Sequence, residues 1–293
     1  MAWIQLAIYT VAEEAEKLES ILHGMGAVAV TLSDAADEEI FEPPPGEMPL
    51  WQSTKLTGLF EDAETADAIL GRLRKVLQPR PLPQYEFSRL EDKDWERVWL
   101  DEFKPMQFGK RVWVVPTVYD PVDPVAVNIR LDPGLAFGTG THPTTALCLA
   151  WLDGQNWQGQ EVIDFGCGSG ILGIAAAMLG AARVWAVDID PQAVQATNSN
   201  AVLNNVVDFL TVGLPSAMVL PQVEVLVANI LANPLCFLAE QFAKLTVPGG
   251  RIALSGILSE QAAMVSEAYA PWFDLEPIRK QEDWVLISGI RRS

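Results

Sequence analysis

The segment Val162-Ile163-Asp164-Phe165-Gly166-Cys167-Gly168-Ser169-Gly170-Ile171-Leu172-Gly173 constrains the fold of this chain more than any other. A short apolar run ends in an acid. Glycines follow at 166, 168, 170 and 173, and a helix-forming stretch begins at Ile171. The pattern predicts a buried strand, a glycine-rich turn and a helix N-terminus, an arrangement that lets backbone N–H groups approach a nucleotide cofactor. Without side chains at Gly166 and Gly168, a ligand could come closer to the backbone by about the width of a Cβ. Taken alone, Gly168-x-Gly170-x-x-Gly173 is shared by several cofactor classes, nicotinamide-dependent oxidoreductases included.

The next segments narrow the choice. An apolar run over residues 184–187 ends in Asp188, placed to accept hydrogen bonds from ribose hydroxyls at the end of a second strand. Asp190-Pro191 supplies an N-cap and an N1 proline for the following helix. A third apolar run, 223–228, leads into Asn229-Ile230-Leu231-Ala232. Three strands would then each present a ligand-competent group on one edge of a parallel sheet. From about residue 145 onward helices alternate with apolar strands, the signature of a doubly wound sheet. Pro248-Gly249-Gly250 reads as a turn before a strand at 251–255. Residues 273–280 and 284–290 read as a closing antiparallel hairpin on the sheet's edge.

The first part of the chain has a different rhythm. Strand-like alternation at 3–10, an amphipathic stretch at 13–23 closed by Gly24 and Gly26, and a strand at 27–32 come first. An acidic, proline-rich loop (34–49) separates them from a strand at 53–60, a helix at 63–77 and a strand at 85–90. The order β-α-β-β-α-β predicts a small α+β, ferredoxin-like domain over residues 1–91. A linker with a helix carrying Trp95 and Trp99 on one face would occupy 92–107, and the α/β domain 108–293.

Charge and composition exclude several functions. The net charge is −18, and residues 1–75 alone hold 14 acids against 5 bases, a net of −9. Such a surface repels phosphate backbones and favours a basic protein partner, so no nucleic-acid substrate is expected. No apolar run approaches the length of a membrane span, and the N-terminus lacks the pattern of a secretory signal. Cys148, Cys167 and Cys236 are odd in number and scattered, as expected of reduced thiols in a cytoplasmic protein. With only His23 and His142 present, no metal site is expected. Cys167 reads as a small apolar spacer.

Several of these motifs together resemble a known family. The run from Asp164 to Gly170 is similar to the first motif of class I S-adenosyl-L-methionine-dependent methyltransferases. The run Asp132-Pro133-Gly134-Leu135-Ala136-Phe137-Gly138-Thr139-Gly140-Thr141-His142-Pro143-Thr144-Thr145, with Asn229-Ile230-Leu231-Ala232, resembles the branch that methylates large-subunit ribosomal protein eleven. The resemblance implies a Rossmann-like methyltransferase domain with an antiparallel C-terminal finish, preceded by an acidic substrate-recognition domain. It implies transfer of methyl groups from S-adenosyl-L-methionine to the N-terminal α-amine and lysine side chains of that basic ribosomal protein.

Carried over by position, Gly166 and Gly168 would line the cofactor's methionine part and Asp188 its ribose. Thr145 would offer a first-turn N–H and hydroxyl to a carboxylate, and Asn229 would sit beside the reactive methyl, touching both cofactor and amine. Phe137, on a glycine-bearing loop, would cover the cofactor. Enzymes acting on planar amides or bases carry an aromatic residue where this chain has Ala232, which favours a flexible aliphatic amine. Of the competing readings, an oxidoreductase lacks its catalytic His/Lys or Tyr-Lys pattern, and an RNA methyltransferase conflicts with the charge. An interaction module leaves the three strand-end groups unexplained.

Overall fold

In the computed structural model the chain divides into two compact units, Met1–Trp99 and Leu100–Ser293. The residues described are 3–36, 50–61, 65–90, 104–131 and 142–293. Most of the acidic loop, the linker helix with Trp95 and Trp99, and the loop with Gly134, Phe137, Gly138 and Gly140 lie outside them.

The first unit contains β1 (Trp3–Val11), α1 (Ala12–Gly24), β2 (Ala29–Asp34), β3 (Ser53–Glu61), α2 (Ala66–Leu77) and β4 (Gln84–Leu90). Its sheet order is β2-β3-β1-β4, antiparallel at every pairing, which is the ferredoxin-like arrangement expected. Strand alternation sends Leu6, Ile8, Leu56 and Phe60 to one face, where Leu18, Leu22, Ile69 and Leu73 of the two helices pack on them. Thr65 caps α2 by accepting from the Ala68 N–H at 3.2 Å.

The second unit opens with a three-stranded sheet, β5 (Met106–Phe108), β6 (Val112–Val115) and β7 (Val127–Arg130). Asp153, nearly buried, holds its β5–β6 turn by accepting from the Lys110 N–H at 2.7 Å and Arg111 Nε at 2.9 Å. The main sheet is built from β8 (Glu161–Phe165), β9 (Arg183–Val187), β10 (Leu210–Gly213), β11 (Val223–Asn229), β12 (Thr246–Leu258), β13 (Phe273–Leu275), β14 (Arg279–Gln281) and β15 (Trp284–Arg291). Their order is β10-β9-β8-β11-β12-β15-β13, with β14 also paired to β15. The five strands from β10 to β12 are mutually parallel, and the last strands are antiparallel.

Both faces of this sheet are covered, so its strands are apolar runs rather than alternating ones. Val162, Val184, Val225 and Val227 face one core with α3 (Pro143–Asp153) and α4 (Ile171–Leu179). Ile163, Phe165, Leu226 and Leu254 face another with α6 (Ala232–Leu245) and α7 (Ala262–Tyr269). The remaining helix, α5, is Pro191–Leu203.

Two details depart from the sequence reading. Residues 273–280 are two short strands rather than one, because Pro277 has no N–H for the ladder. With β15 they form the expected antiparallel finish at the sheet's edge, β15 lying between β12 and β13. Pro248-Gly249-Gly250 does not separate a helix from a short strand. Instead β12 runs through it as a bulge, its pairing with β11 stepping from Thr246 to Arg251, with Gly249 at φ +77°.

Candidate active site

The strand register brings three of the expected groups together. In the pairings of β8 with β9 and β11, Phe165 lies opposite Val187 and Ala228. Gly166, Asp188 and Asn229 are each the next residue, so all three emerge at the same C-terminal edge of neighbouring parallel strands. That edge is where open α/β sheets bind ligands.

The glycine turn is held from several sides. The Gly166 and Cys167 N–H groups donate to the Val187 carbonyl at 2.8 and 3.0 Å, and the Gly168 N–H donates to Asp188 Oδ2 at 2.9 Å. Asp188 Oδ1 accepts from the Asp190 N–H at 3.0 Å. From α5, the buried Thr197 hydroxyl donates to the Gly168 carbonyl at 3.0 Å, and Asn200 Nδ2 to the Ser169 carbonyl at 2.8 Å. Gly166, Gly168 and Gly170 have φ of +78°, +54° and +81°, values that favour glycine.

At Gly166 the reason for glycine differs from the one expected. A Cβ there would collide with Ile230 Cγ2 of the motif after β11, so the neighbour that demands glycine is protein. Gly256 (φ +83°) makes the same demand from the other side, since a Cβ would run into the Ile230 backbone. Ile230 is thus clasped between two glycines, which fixes where the preceding Asn229 stands. The strand residue Gly256 was not legible as a site residue, because its signal is a bulge in the β12–β15 register.

Thr145 is fully buried. Its N–H donates to the His142 carbonyl at 3.0 Å, so the unpaired donor predicted for a ligand carboxylate is already used. Its hydroxyl instead accepts from Asn229 Nδ2 at 3.4 Å. That bond directs the amide nitrogen inward and leaves Asn229 Oδ1 as the acceptor for a ligand. His142 caps α3: Nδ1 accepts from the Thr144 N–H at 3.3 Å and lies 2.7 Å from the Thr144 hydroxyl. Burial holds its imidazole below the usual range, against the charge of Glu282. The proton of the neutral ring therefore sits on Nε2.

Asn229 lines a cavity of about 440 Å³ together with His142, Thr144, Ile230, Leu231, Gly256 and Trp284. Its walls are mostly apolar, and the Asn229 amide is one of its few polar groups.

Asp164 lies fully buried beneath the turn. Oδ2 accepts from the Gly173 N–H at 2.8 Å, and Oδ1 has no partner among the described residues. Burial pushes its carboxyl up to about 7; the Gly173 bond opposes the rise and the Asp188 charge adds to it. Cys167 is buried too, and desolvation followed by the Asp164 charge drives its thiol far above the usual range. It is no nucleophile, in keeping with its reading as a spacer. Among the described residues no cluster of His, Cys, Asp or Glu could hold a metal ion, and no helix is long and apolar enough to cross a membrane.

The model of the family described as ribosomal protein L11 methyltransferase (PrmA) matches residues 2–292. The chain belongs to the ribosomal protein L11 methyltransferase family. It is 51% identical over 293 residues to the Hahella chejuensis member, covering 99% of each chain. With the Azotobacter vinelandii member it shares 52% over 293 residues, covering 100% of both. Among solved structures, the ribosomal protein L11 methylase of Lactobacillus delbrueckii subsp. bulgaricus aligns with a TM-score of 0.60 at 33% identity. It covers 65% of this chain and 100% of that one.

The residues at the sheet edge fit the S-adenosyl-L-methionine on which this family depends. Each Asp188 oxygen accepts one N–H and retains capacity for ribose hydroxyls. The left-handed glycines keep side chains out of the turn, and the orphaned Asp164 Oδ1 suits a cofactor that brings positive charge.

Proposed function

We propose that this protein transfers methyl groups from S-adenosyl-L-methionine to the N-terminal α-amine and lysine side chains of ribosomal protein L11. S-adenosyl-L-methionine, when bound, supplies a methyl group activated by its sulfonium. The Gly166–Gly168 turn, Asp188 and Thr145 would hold it, Thr145 through its contact with Asn229. One observation supports the reading best: Asn229 is the last residue of β11, beside the Gly166 turn, with its amide oxygen available at an apolar cavity.

What the chain's own groups do follows from their chemistry. An amine reacts only when neutral, and lysine and α-amines have ordinary pKa values near 10.4 and 7.7–8.0. An apolar cavity disfavours the ammonium form. Asn229 Oδ1 accepts an N–H of the neutral amine and aims its lone pair, while Thr145 fixes the amide. His142 Nδ1 already accepts from the Thr144 N–H, so this ring nitrogen is engaged within the protein.

Residues 1–91 form the recognition domain in this proposal, 92–107 the linker and 108–293 the catalytic domain. Support comes from the net −9 of residues 1–75, complementary to a basic ribosomal protein. The first unit also has a hollow of about 370 Å³ on its sheet, lined by Gln5, Ala7, Lys55, Thr57, Glu86 and Ser88 among others. A cytoplasmic location agrees with three cysteines that form no disulfide among the described residues and with a ribosomal substrate.

The test is mass spectrometry of ribosomal protein L11 incubated with enzyme and cofactor. Mass increments of methyl groups on amines are expected. Label confined to ribosomal RNA, or none on L11, contradicts the proposal.

A further inference from the structure

The cavity beside Asn229 has a second wall, contributed by Trp284 at the start of β15. We infer that Glu282 and Trp284 form the amine-recognition element of this enzyme, Glu282 drawing the cationic group in and Trp284 positioning its aliphatic stem against Asn229. The inference rests on the functional reading above and names the residues that would select its substrate.

Several observations carry it. Trp284 lines the cavity with Asn229, Ile230 and Leu231. Its ring is braced edge-on by His142, with centroids 4.8 Å apart and planes at 69°. Its backbone is fixed from both sides, paired with Leu258 of β12 and Gln281 of β14. The preceding turn is pinned where the Asp283 carbonyl accepts from the Ser259 N–H at 2.8 Å and hydroxyl at 3.0 Å. Within that turn Glu282 takes φ +54°, a conformation rare for a residue with a side chain. Its carboxylate is exposed, yet its charge reaches His142 in the cavity wall.

The chemistry of this wall matches a lysine or an N-terminal amine. Methylene groups pack on an aromatic face, and an ammonium is attracted to it. A trimethylated amine is permanently cationic and has no N–H left to donate, so Asn229 can no longer hold it. An aromatic face still can. An exposed carboxylate two residues before Trp284 raises the local concentration of a cationic substrate without entering the reaction.

The experiment is steady-state methyl transfer from S-adenosyl-L-methionine to ribosomal protein L11, with S-adenosylhomocysteine affinity measured by calorimetry on each variant. For Trp284→Ala, kcat/KM should fall about 30-fold while affinity for S-adenosylhomocysteine stays within about twofold. Trp284→Phe should recover to within about fivefold of wild type. Should Trp284→Ala fail to fold, Trp284→Leu, which keeps bulk without the aromatic face, should show the same loss. Glu282→Gln should raise KM about three- to tenfold at low salt, leave kcat unchanged, and converge on wild type at high salt.

Wild-type kinetics in Trp284→Ala or Trp284→Leu would overturn the inference. So would equal impairment of the phenylalanine and leucine variants, loss of cofactor affinity in step with kcat, or a Glu282→Gln KM unchanged at low salt. A wild-type enzyme that labels no L11 overturns the functional reading itself, a failure distinct from an active enzyme indifferent to Trp284.

Discussion

The clasp around Ile230 makes a quantitative prediction. Gly166→Ala introduces two penalties. At φ +78° a residue with a Cβ is disfavoured by roughly 1–2 kcal/mol. The new methyl also meets Ile230 Cγ2, and relieving such overpacking costs about 1–3 kcal/mol. Together the substitution should destabilise the catalytic unit by about 2–5 kcal/mol. Ile230→Ala removes the atom that is struck. In that background Gly166→Ala should lose only the conformational penalty, leaving a coupling energy of about 1–3 kcal/mol between the two sites. Urea unfolding of the wild type, both single variants and the double variant measures it. Strict additivity, within about 0.5 kcal/mol, would mean that Ile230 is not what keeps residue 166 a glycine.

Other outcomes follow from the same geometry. Asn229→Ala should lower kcat about 100-fold in methyl transfer to L11 while the fold is retained, because the amine loses its acceptor at the C-terminal end of β11. The Asp164 carboxyl, raised by burial to about 7, makes the folded state bind its proton more tightly than the unfolded state. Its contribution to stability is therefore greatest at acid pH and is lost as pH rises toward and through 7. Asp164→Asn keeps an acceptor for Gly173 and removes the titration. Its stability relative to wild type should thus grow by roughly 2.5 kcal/mol between pH 5 and 8, read from paired urea titrations. The KM for L11 should rise with ionic strength, given the −9 on residues 1–75, while S-adenosylhomocysteine affinity responds less.

Most of the framework was legible because the strands of a doubly covered sheet are uninterrupted apolar runs, and each ended in a polar residue. Asp188 and Asn229 could be placed on one edge by that rule alone, and the register bears out their placement. The antiparallel finish was legible too, but not the insertion of β15 between β12 and β13, since strand order is a tertiary choice. Thr145 was expected to offer its N–H outward. The chain spends that donor on His142, and only its hydroxyl reaches the site, through Asn229.

The groups that escaped notice act across the chain. Thr197 and Asn200 look like ordinary polar residues of a helix, yet they lie three apart and hold two carbonyls of the glycine turn. Gly256 and Trp284 sit in strands whose apolar pattern is accounted for by the core, so nothing local marked them. Trp284 joins Asn229 only because β15 runs back beside β12.

Calorimetric titration with S-adenosylhomocysteine, run on the wild type and on Asp188→Ala, tests the sheet-edge site most directly. One site per chain is expected in the wild type, weakened by about 1.5–3 kcal/mol when the carboxylate is removed, with the fold retained. No heat with S-adenosylhomocysteine alongside tight binding of NAD, or full affinity in Asp188→Ala, would contradict it.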